Sequence, residues 1–489
     1  MLSLVEKTKI QNIALVGVIL ILVLGNSLPI DDPDVWWHLQ AGQDILSTMN
    51  VPAADSYSFS NAGHRWVAHE WLAEVIYFKI YDLAGYQGLL VFNTLILACA
   101  YFLLYRTAMF QSGGNTGISA ILLILSSVLN SVFWMFRPHV PAYLLFVVFL
   151  YLLYGNSAIR RNIAALPLLM VLWVNIHGSY IIGLVISIIY LLSGIFRLDL
   201  GRMRGRDLSR KEIRMMAVVV AATALATLAN PNTYHILLYP FETLGSGMIT
   251  SNVLEWLSPD FHQLGMKFFL AYILFTFFIV AVSRQVIYAD EMANLIIFTA
   301  LSMFGARNLA LLVFVSLPIL ARHLSSLVKR EHRDFQVPAL NIAALLVLAI
   351  LLVSLWPRPG TLEGHVGKGE FPVQAVQYMK KHNLAGNVFN EYDWGGYLIW
   401  LRYPENRVFV DGRADIYADR VIPDYLKITA AGDEAYPVFM RYDIDYVLMR
   451  RGQPFLRLLQ DQGGWQKIYA DETAELYRRA EDKKVGEKI

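Results

Sequence analysis

The residues best suited to chemistry open a loop. Asp31-Asp32-Pro33-Asp34-Val35-Trp36-Trp37-His38 follows directly on the apolar run 13–30. Where a chain leaves lipid, a carboxylate can take a proton from an acceptor or hold a metal beside a lipid phosphate. Asp34 is the leading candidate for that role and Asp32 the alternative. His38 lies four residues after Asp34 and so shares its face if the segment is helical. The quieter alternative is that these acids only cap a surface helix, with Asp32 as N-cap and Pro33 at the first helical position. Further along, His69 and Glu70 can complete a metal site with Asp34, or can be ordinary hydrogen-bonding groups on an amphipathic stretch that begins at His64-Arg65-Trp66. Arg137, His139 and Arg307 stand at the ends of apolar runs. Guanidinium binds phosphate in bidentate fashion, so this set is a candidate phosphate site. The alternative for the arginines is local pairing with an acid such as Glu255, and for His177 a buried, hydrogen-bonded ring.

The elements that must position these groups are set by composition. The chain is 489 residues long, 56% hydrophobic and 16% charged, with a mean hydropathy of +0.44, which requires lipid as solvent over much of its length. Apolar windows at 11–30, 87–105, 117–135, 140–155, 162–176, 179–196, 215–229, 266–283, 291–305, 308–322 and 338–356 predict about eleven transmembrane helices. Lys7, Lys9, Arg106, Arg160-Arg161, the block Arg197 to Arg214, Arg284 and the run Arg322 to Arg333 fall on one side of that arrangement. The N-terminus is therefore expected in the cytoplasm of a multi-pass plasma (inner) membrane protein. Loop 31–86, loop 230–265 and everything after Trp356 are expected outside, and Asp34, Arg137, Asn175, His177 and Arg307 all reach that outer boundary. Val35 to Met49 is expected as a helix lying in the interface, with Trp36 and Trp37 at headgroup level.

Two domains follow: a transmembrane domain, 1–356, that includes the interfacial helices of loop 31–86, and an extracytoplasmic soluble α/β domain, 357–489. In the latter, 372–382 reads as helix, 387–390, 407–410 and 442–449 as buried strands, and 465–470 with 474–478 as a hairpin. The basic residues form no continuous patch, so nucleic acid is not an expected partner. The single cysteine, Cys99, allows no intrachain disulfide.

One span, an acidic first loop with an interfacial helix (Asp34-Val35-Trp36-Trp37-His38-Leu39-Gln40-Ala41-Gly42), a second interfacial helix, many further spans and an outside C-terminal domain together resemble the GT-C superfamily of polytopic glycosyltransferases. The resemblance implies transfer of a sugar from a polyprenyl-phosphate or polyprenyl-diphosphate carrier to an extracytoplasmic acceptor, which is a protein, a glycan or a lipid. It implies Asp34 as the catalytic or metal-associated acid. Glu391-Tyr392-Asp393-Trp394-Gly395-Gly396-Tyr397 looks like the WWDYG acceptor motif of oligosaccharyltransferases, departing from it in order and spacing, and marks Asp393, Trp394 and Tyr397 as acceptor-binding candidates. The alternative there is a strand-to-helix turn that needs two glycines. Val410-Asp411-Gly412-Arg413-Ala414-Asp415 is a polar strand exit of the same kind.

A sugar on a lipid phosphate already carries a good leaving group, so the protein need only neutralise its charge and aim a nucleophile. Arg137 and Arg307, or a divalent cation such as Mg2+ or Mn2+, can do the first, and a metal-independent mechanism stays open. Asp34 as base can assist the second. The rival reading is a transporter or flippase of lipid-linked sugars; the spans lack the paired repeats and broken helices that many transporters use.

Overall fold

The computed structural model describes residues 10–26, 32–155, 161–328, 338–355, 364, 366 and 369–480. Lys7, Lys9, Asp31, Arg160, the end of the first apolar window and the basic run from Lys329 to Arg333 lie outside them. Contacts divide the chain into two compact units, one of Met1–Leu28, Leu83–Pro240 and Leu254–Pro359, the other of Pro29–Asp82, Phe241–Val253 and Gly360–Ile489. Loop 31–86 thus groups for the most part with the C-terminal segment.

Helices dominate the first unit. Trp71–Gln111, Thr116–Phe133, Leu264–Val282 and Ala306–Ser325 are long and apolar enough to cross a membrane. The remaining expected windows also fall on helices, at Ile10–Asn26, His139–Tyr154, Leu166–Val174, Tyr180–Phe196, Arg210–Ala226, Ala289–Phe304 and Pro338–Leu355. Leu309–Ser325 is apolar all round and buried on nearly every face, as a central helix must be. Leu264–Val282 packs one side on it and leaves Phe268, Leu274, Phe275 and Phe278 exposed, a surface suited to lipid. Trp71–Gln111 is broken at Gly85, whose φ of +58° is open to a residue without a Cβ. Elsewhere in this unit Arg206 pairs with Asp290 and Glu291 at 2.9 Å each, and Arg322 pairs with Glu291. Two cations and two anions balance there, which marks a structural clamp.

The second unit is built on a five-stranded sheet. Its strands are β1 (Gly386–Asn390), β2 (Asn406–Val408), β3 (Tyr446–Arg450), β4 (Trp465–Ala470) and β5 (Ala474–Arg479), in the order β2-β1-β3-β5-β4. β1 pairs in parallel with β2 and β3, whereas β3/β5 and β4/β5 are antiparallel. Sequence reading placed these strands to within a few residues, and it placed the helix Val373–Lys381. Gly395–Arg402 enters it only as the far side of a strand-to-helix turn, and the helices Ala414–Thr429 and Pro454–Gln462 are absent from it. Gly395–Arg402 starts on two glycines and Ala414–Thr429 contains Pro423, so helical propensity was weak and tertiary packing decided.

The first loop completes this sheet. Ser58 bridges Val408 in parallel, with Phe59 N donating to Val408 O at 3.0 Å and Val408 N to Tyr57 O at 3.2 Å, so the edge of β2 is covered. The loop helix runs Val35–Thr48, two residues later than the Asp32 cap implies. Trp36 and Trp37 do not present their rings to the surroundings of the protein. They are 0% and 6% exposed, Trp36 edge-on to Tyr397 and Phe371 at 4.9 and 5.6 Å and Trp37 edge-on to Trp66 at 6.3 Å. The apolar face that suggested an interfacial helix is buried in protein instead.

Candidate active site

Asp34 occupies the N-cap position of the loop helix, yet its side chain makes no capping hydrogen bond. Its backbone carbonyl accepts from His38 N at 3.2 Å. The side chain that organises the turn belongs to Asp32, whose Oδ1 accepts from Asp34 N at 3.0 Å. Asp32 is 5% exposed. The two acids therefore have different local tasks: Asp32 shapes the backbone of the turn, and the Asp34 side chain takes no part in capping the helix.

That carboxylate rests on the C-terminal segment. A Cβ at Gly412 would overlap Asp34 Oδ1, and a Cβ at Gly396 would overlap the Pro33 carbonyl and crowd Trp37. Only glycine permits such approaches. Gly412 lies between Asp411 and Arg413, which form a bidentate pair at 2.8 and 2.7 Å. Arg413 Nη2 also reaches Asp55 Oδ1 at 2.9 Å, and the guanidinium lies 4.7 Å from the Trp66 ring centre and 4.9 Å from that of Tyr57. Arg413, Asp411 and Asp55 are almost fully buried. Removing one partner of such a group leaves an uncompensated buried charge, at a cost of about 3–5 kcal/mol. Asp55 carried no signal in the sequence; Asp411 and Arg413 stood out only as a polar strand exit.

Among the described residues the metal-capable group is His38, Glu70 and Glu74, with ligand atoms all within 4.8 Å of one another. It shares only Glu70 with the expected set of Asp34, His69 and Glu70. His38 Nδ1 lies 3.3 Å from Glu74 Oε1, and Nε2 lies 3.8 Å from Glu70 Oε2. Glu74 is 1% exposed, and its Oε2 has no hydrogen-bond partner among the described residues, which suits a further cationic neighbour. His69 lies 3.6 Å from Glu70 Oε1, with Nδ1 3.1 Å from Val67 O. One buried turn of Trp71–Gln111 passes close to the loop helix because Gly42 fits against the Glu74 carbonyl.

Of the acceptor-binding candidates, Trp394 and Tyr397 belong to the core of the second unit. Trp394 Nε1 donates to Glu370 O at 2.8 Å, and the Tyr397 ring packs on Phe371 and Trp36. Asp393 alone is exposed, 3.8 Å from Arg450. Gly395 and Gly396 serve close packing, as the turn reading required.

In the first unit, Arg137 and Arg307 share one carboxylate. Arg137 Nη1 lies 2.5 Å from Glu255 Oε1, Arg307 Nη1 lies 3.9 Å from Oε2, and Arg307 stacks on Trp256 at 4.5 Å. Burial pushes the Glu255 carboxyl up, but Arg137 and then Arg307 outweigh it and bring it down to about 2. Glu255 thus bridges two guanidinium groups. His139 Nε2 lies 2.8 Å from Phe133 O, and its ring centre is 6.4 Å from that of His177. His177 Nδ1 is 2.8 Å from Ser179 Oγ, and Asn175 donates to Val171 O and Ala229 O.

No family profile and no curated protein matches the chain. Solved structures do. The oligosaccharyltransferase of Archaeoglobus fulgidus, tethered to an acceptor peptide containing the NVT sequon, superposes with a TM-score of 0.57 at 14% identity, over 96% of this chain and 74% of that one. ArnT from Cupriavidus metallidurans, bound to undecaprenyl phosphate, gives 0.52 at 12% identity over 96% of this chain and 97% of the other. Arabinofuranosyltransferase AftD from mycobacteria gives 0.52 at 14%, over 97% of this chain but 41% of its own. All three are GT-C enzymes, and the chain resembles that superfamily in fold. Identity this low speaks for the fold alone.

Proposed function

We propose that the protein is a GT-C-type glycosyltransferase that moves a sugar from a polyprenyl-phosphate or polyprenyl-diphosphate carrier to the hydroxyl or amide of an acceptor outside the cytoplasm. The observation that carries this reading is the likeness, along nearly the whole of both chains, to ArnT, whose structure holds undecaprenyl phosphate. The pair Arg137 and Arg307 supports it, because two guanidinium groups that hold one carboxylate between them are of the kind that binds a lipid-linked phosphate. In this reading the bond from the phosphate oxygen to the anomeric carbon breaks as the acceptor attacks. Asp34 accepts the proton of the attacking acceptor, and the phosphate stays on the lipid. Direct displacement inverts the anomeric centre.

The donor set of one imidazole and two carboxylates fits a divalent cation, and His38, Glu70 and Glu74 would hold it. A bound cation would add fixed positive charge to that part of the second unit. Asp393 is the exposed group offered to an acceptor.

The test is sugar transfer by purified wild type and Asp34→Asn from a panel of polyprenyl-phosphate sugars, with both proteins shown to be folded and monodisperse. Transfer by the wild type that is lost in the variant supports the reading. Equal transfer by both removes Asp34 from the chemistry.

A further inference from the structure

The strand exit Asp411-Gly412-Arg413 has no part in the proposed chemistry, yet its buried charges are arranged at high cost. Arg413 is gripped from its own strand exit by Asp411 and from the first loop by Asp55, and Tyr417 OH lies 3.3 Å from Nη2. The same three-residue segment carries Gly412, which lies against the Asp34 carboxylate. Gly396, on the neighbouring helix, meets the backbone one residue earlier, at Pro33. Asp34 is therefore fixed by elements made more than 350 residues later in the chain.

We propose that Asp411-Gly412-Arg413 is a bracket that sets the position of the Asp34 carboxylate, with Gly412 as a positioning residue for the transfer reaction. The Arg413 clamp locks the backbone on both sides of Gly412 to the first loop. Gly412 then defines how far the carboxylate can approach and which way its oxygens face. A methyl group at 412 displaces Asp34 Oδ1 while leaving the residues of the phosphate site unchanged. Displacement of a proton acceptor by about 1 Å lowers turnover far more than it lowers affinity for the donor.

This inference rests on Asp34 acting as the base, and the experiment separates the two. Purified full-length wild type, Gly412→Ala, Asp34→Asn and Gly432→Ala are compared for kcat, donor KM and melting temperature. Gly432 has open space around it, so Gly432→Ala controls for the substitution itself. The expected result is a kcat about tenfold to hundredfold lower in Gly412→Ala, with donor KM within about twofold, and a wild-type kcat in Gly432→Ala. The acid limb of the kcat pH profile is also expected to move by about half a unit or more in Gly412→Ala, which loss of folded protein alone would not produce. An inactive Asp34→Asn beside a Gly412→Ala with wild-type kcat overturns the bracket alone. An active Asp34→Asn overturns the base and the bracket together. Should Gly412→Ala not fold, Asp55→Asn loosens Arg413 without adding volume. A several-fold fall in kcat at constant KM then supports the bracket, and an unchanged kcat overturns it.

Discussion

The Asp34 amide donates to Asp32 Oδ1 at 3.0 Å, so one acid of the pair orders the turn that carries the other. An asparagine oxygen can accept the same bond. Asp32→Asn is accordingly expected to keep transfer within about threefold, and Asp32→Ala to cost about 1 kcal/mol of stability. Asp34→Asn is expected to lose on the order of 10²-fold or more in kcat. Kinetics of the three variants side by side decide the assignment, and a larger loss at Asp32 would reverse it.

In the proposed phosphate site Glu255 would compete with the ligand for Arg137 and Arg307. Glu255→Gln is expected to tighten binding of undecaprenyl phosphate by about tenfold, and Arg137→Ala to weaken it by a similar factor. Because the two guanidinia hold the carboxyl down at about 2, the ion pair should persist through the ordinary working range of pH and fail only as pH falls toward that value. Binding titrations from pH 5 to 8 should therefore show no pH dependence arising from Glu255.

The helices of the first unit were legible because long apolar windows admit few alternatives. The strands β1 to β5 were legible because short buried runs bounded by turn residues are a strong local signal. The bracket was not. Asp55, Asp411 and Arg413 become one group only through pairing of residues 58 and 408, a long-range event with no local periodicity. The same limit explains Trp36 and Trp37, since an amphipathic face does not disclose whether lipid or protein will cover it.

Trp36 tests that packing. It is wholly buried between Tyr397 and Phe371, so Trp36→Ala is expected to destabilise the second unit by about 3–5 kcal/mol. Trp36→Phe should recover a large part of this loss in thermal unfolding. An unaltered melting temperature in Trp36→Ala would show that the ring is covered by something other than these two neighbours.

Asp415 should make stability depend on pH. Burial pushes its carboxyl up to about 6, with Arg413 opposing and Asp411 adding to the shift. The folded state then holds the proton more tightly than an unfolded aspartic acid, whose value is about 3.9. This contribution is complete below about pH 4 and declines as pH rises toward 6, after which it is flat. Asp415→Asn should flatten that slope and raise the melting temperature at pH 8 by about 2–4 °C.

The carboxylates around His38 predict cation binding. Metal-free protein titrated with Mn2+ is expected to bind an ion at this site, and Glu74→Gln to weaken that binding by about tenfold or more, read calorimetrically. Equal affinity in the variant would leave the imidazole hydrogen-bonded between two glutamates with no ion.

The bridges from Ser60 to Phe409 and from Asn61 to Ile416 join partners 349 and 355 residues apart. At roughly 5–20 residues per second, the ribosome needs about 20–70 s to make the second partner after the first. Throughout that interval Trp36, Trp37, Tyr57 and Trp66 lack the surface that will bury them. Maturation of the first loop is thus clocked by completion of the chain, and a nascent protein must shelter those rings until its last quarter has been translated.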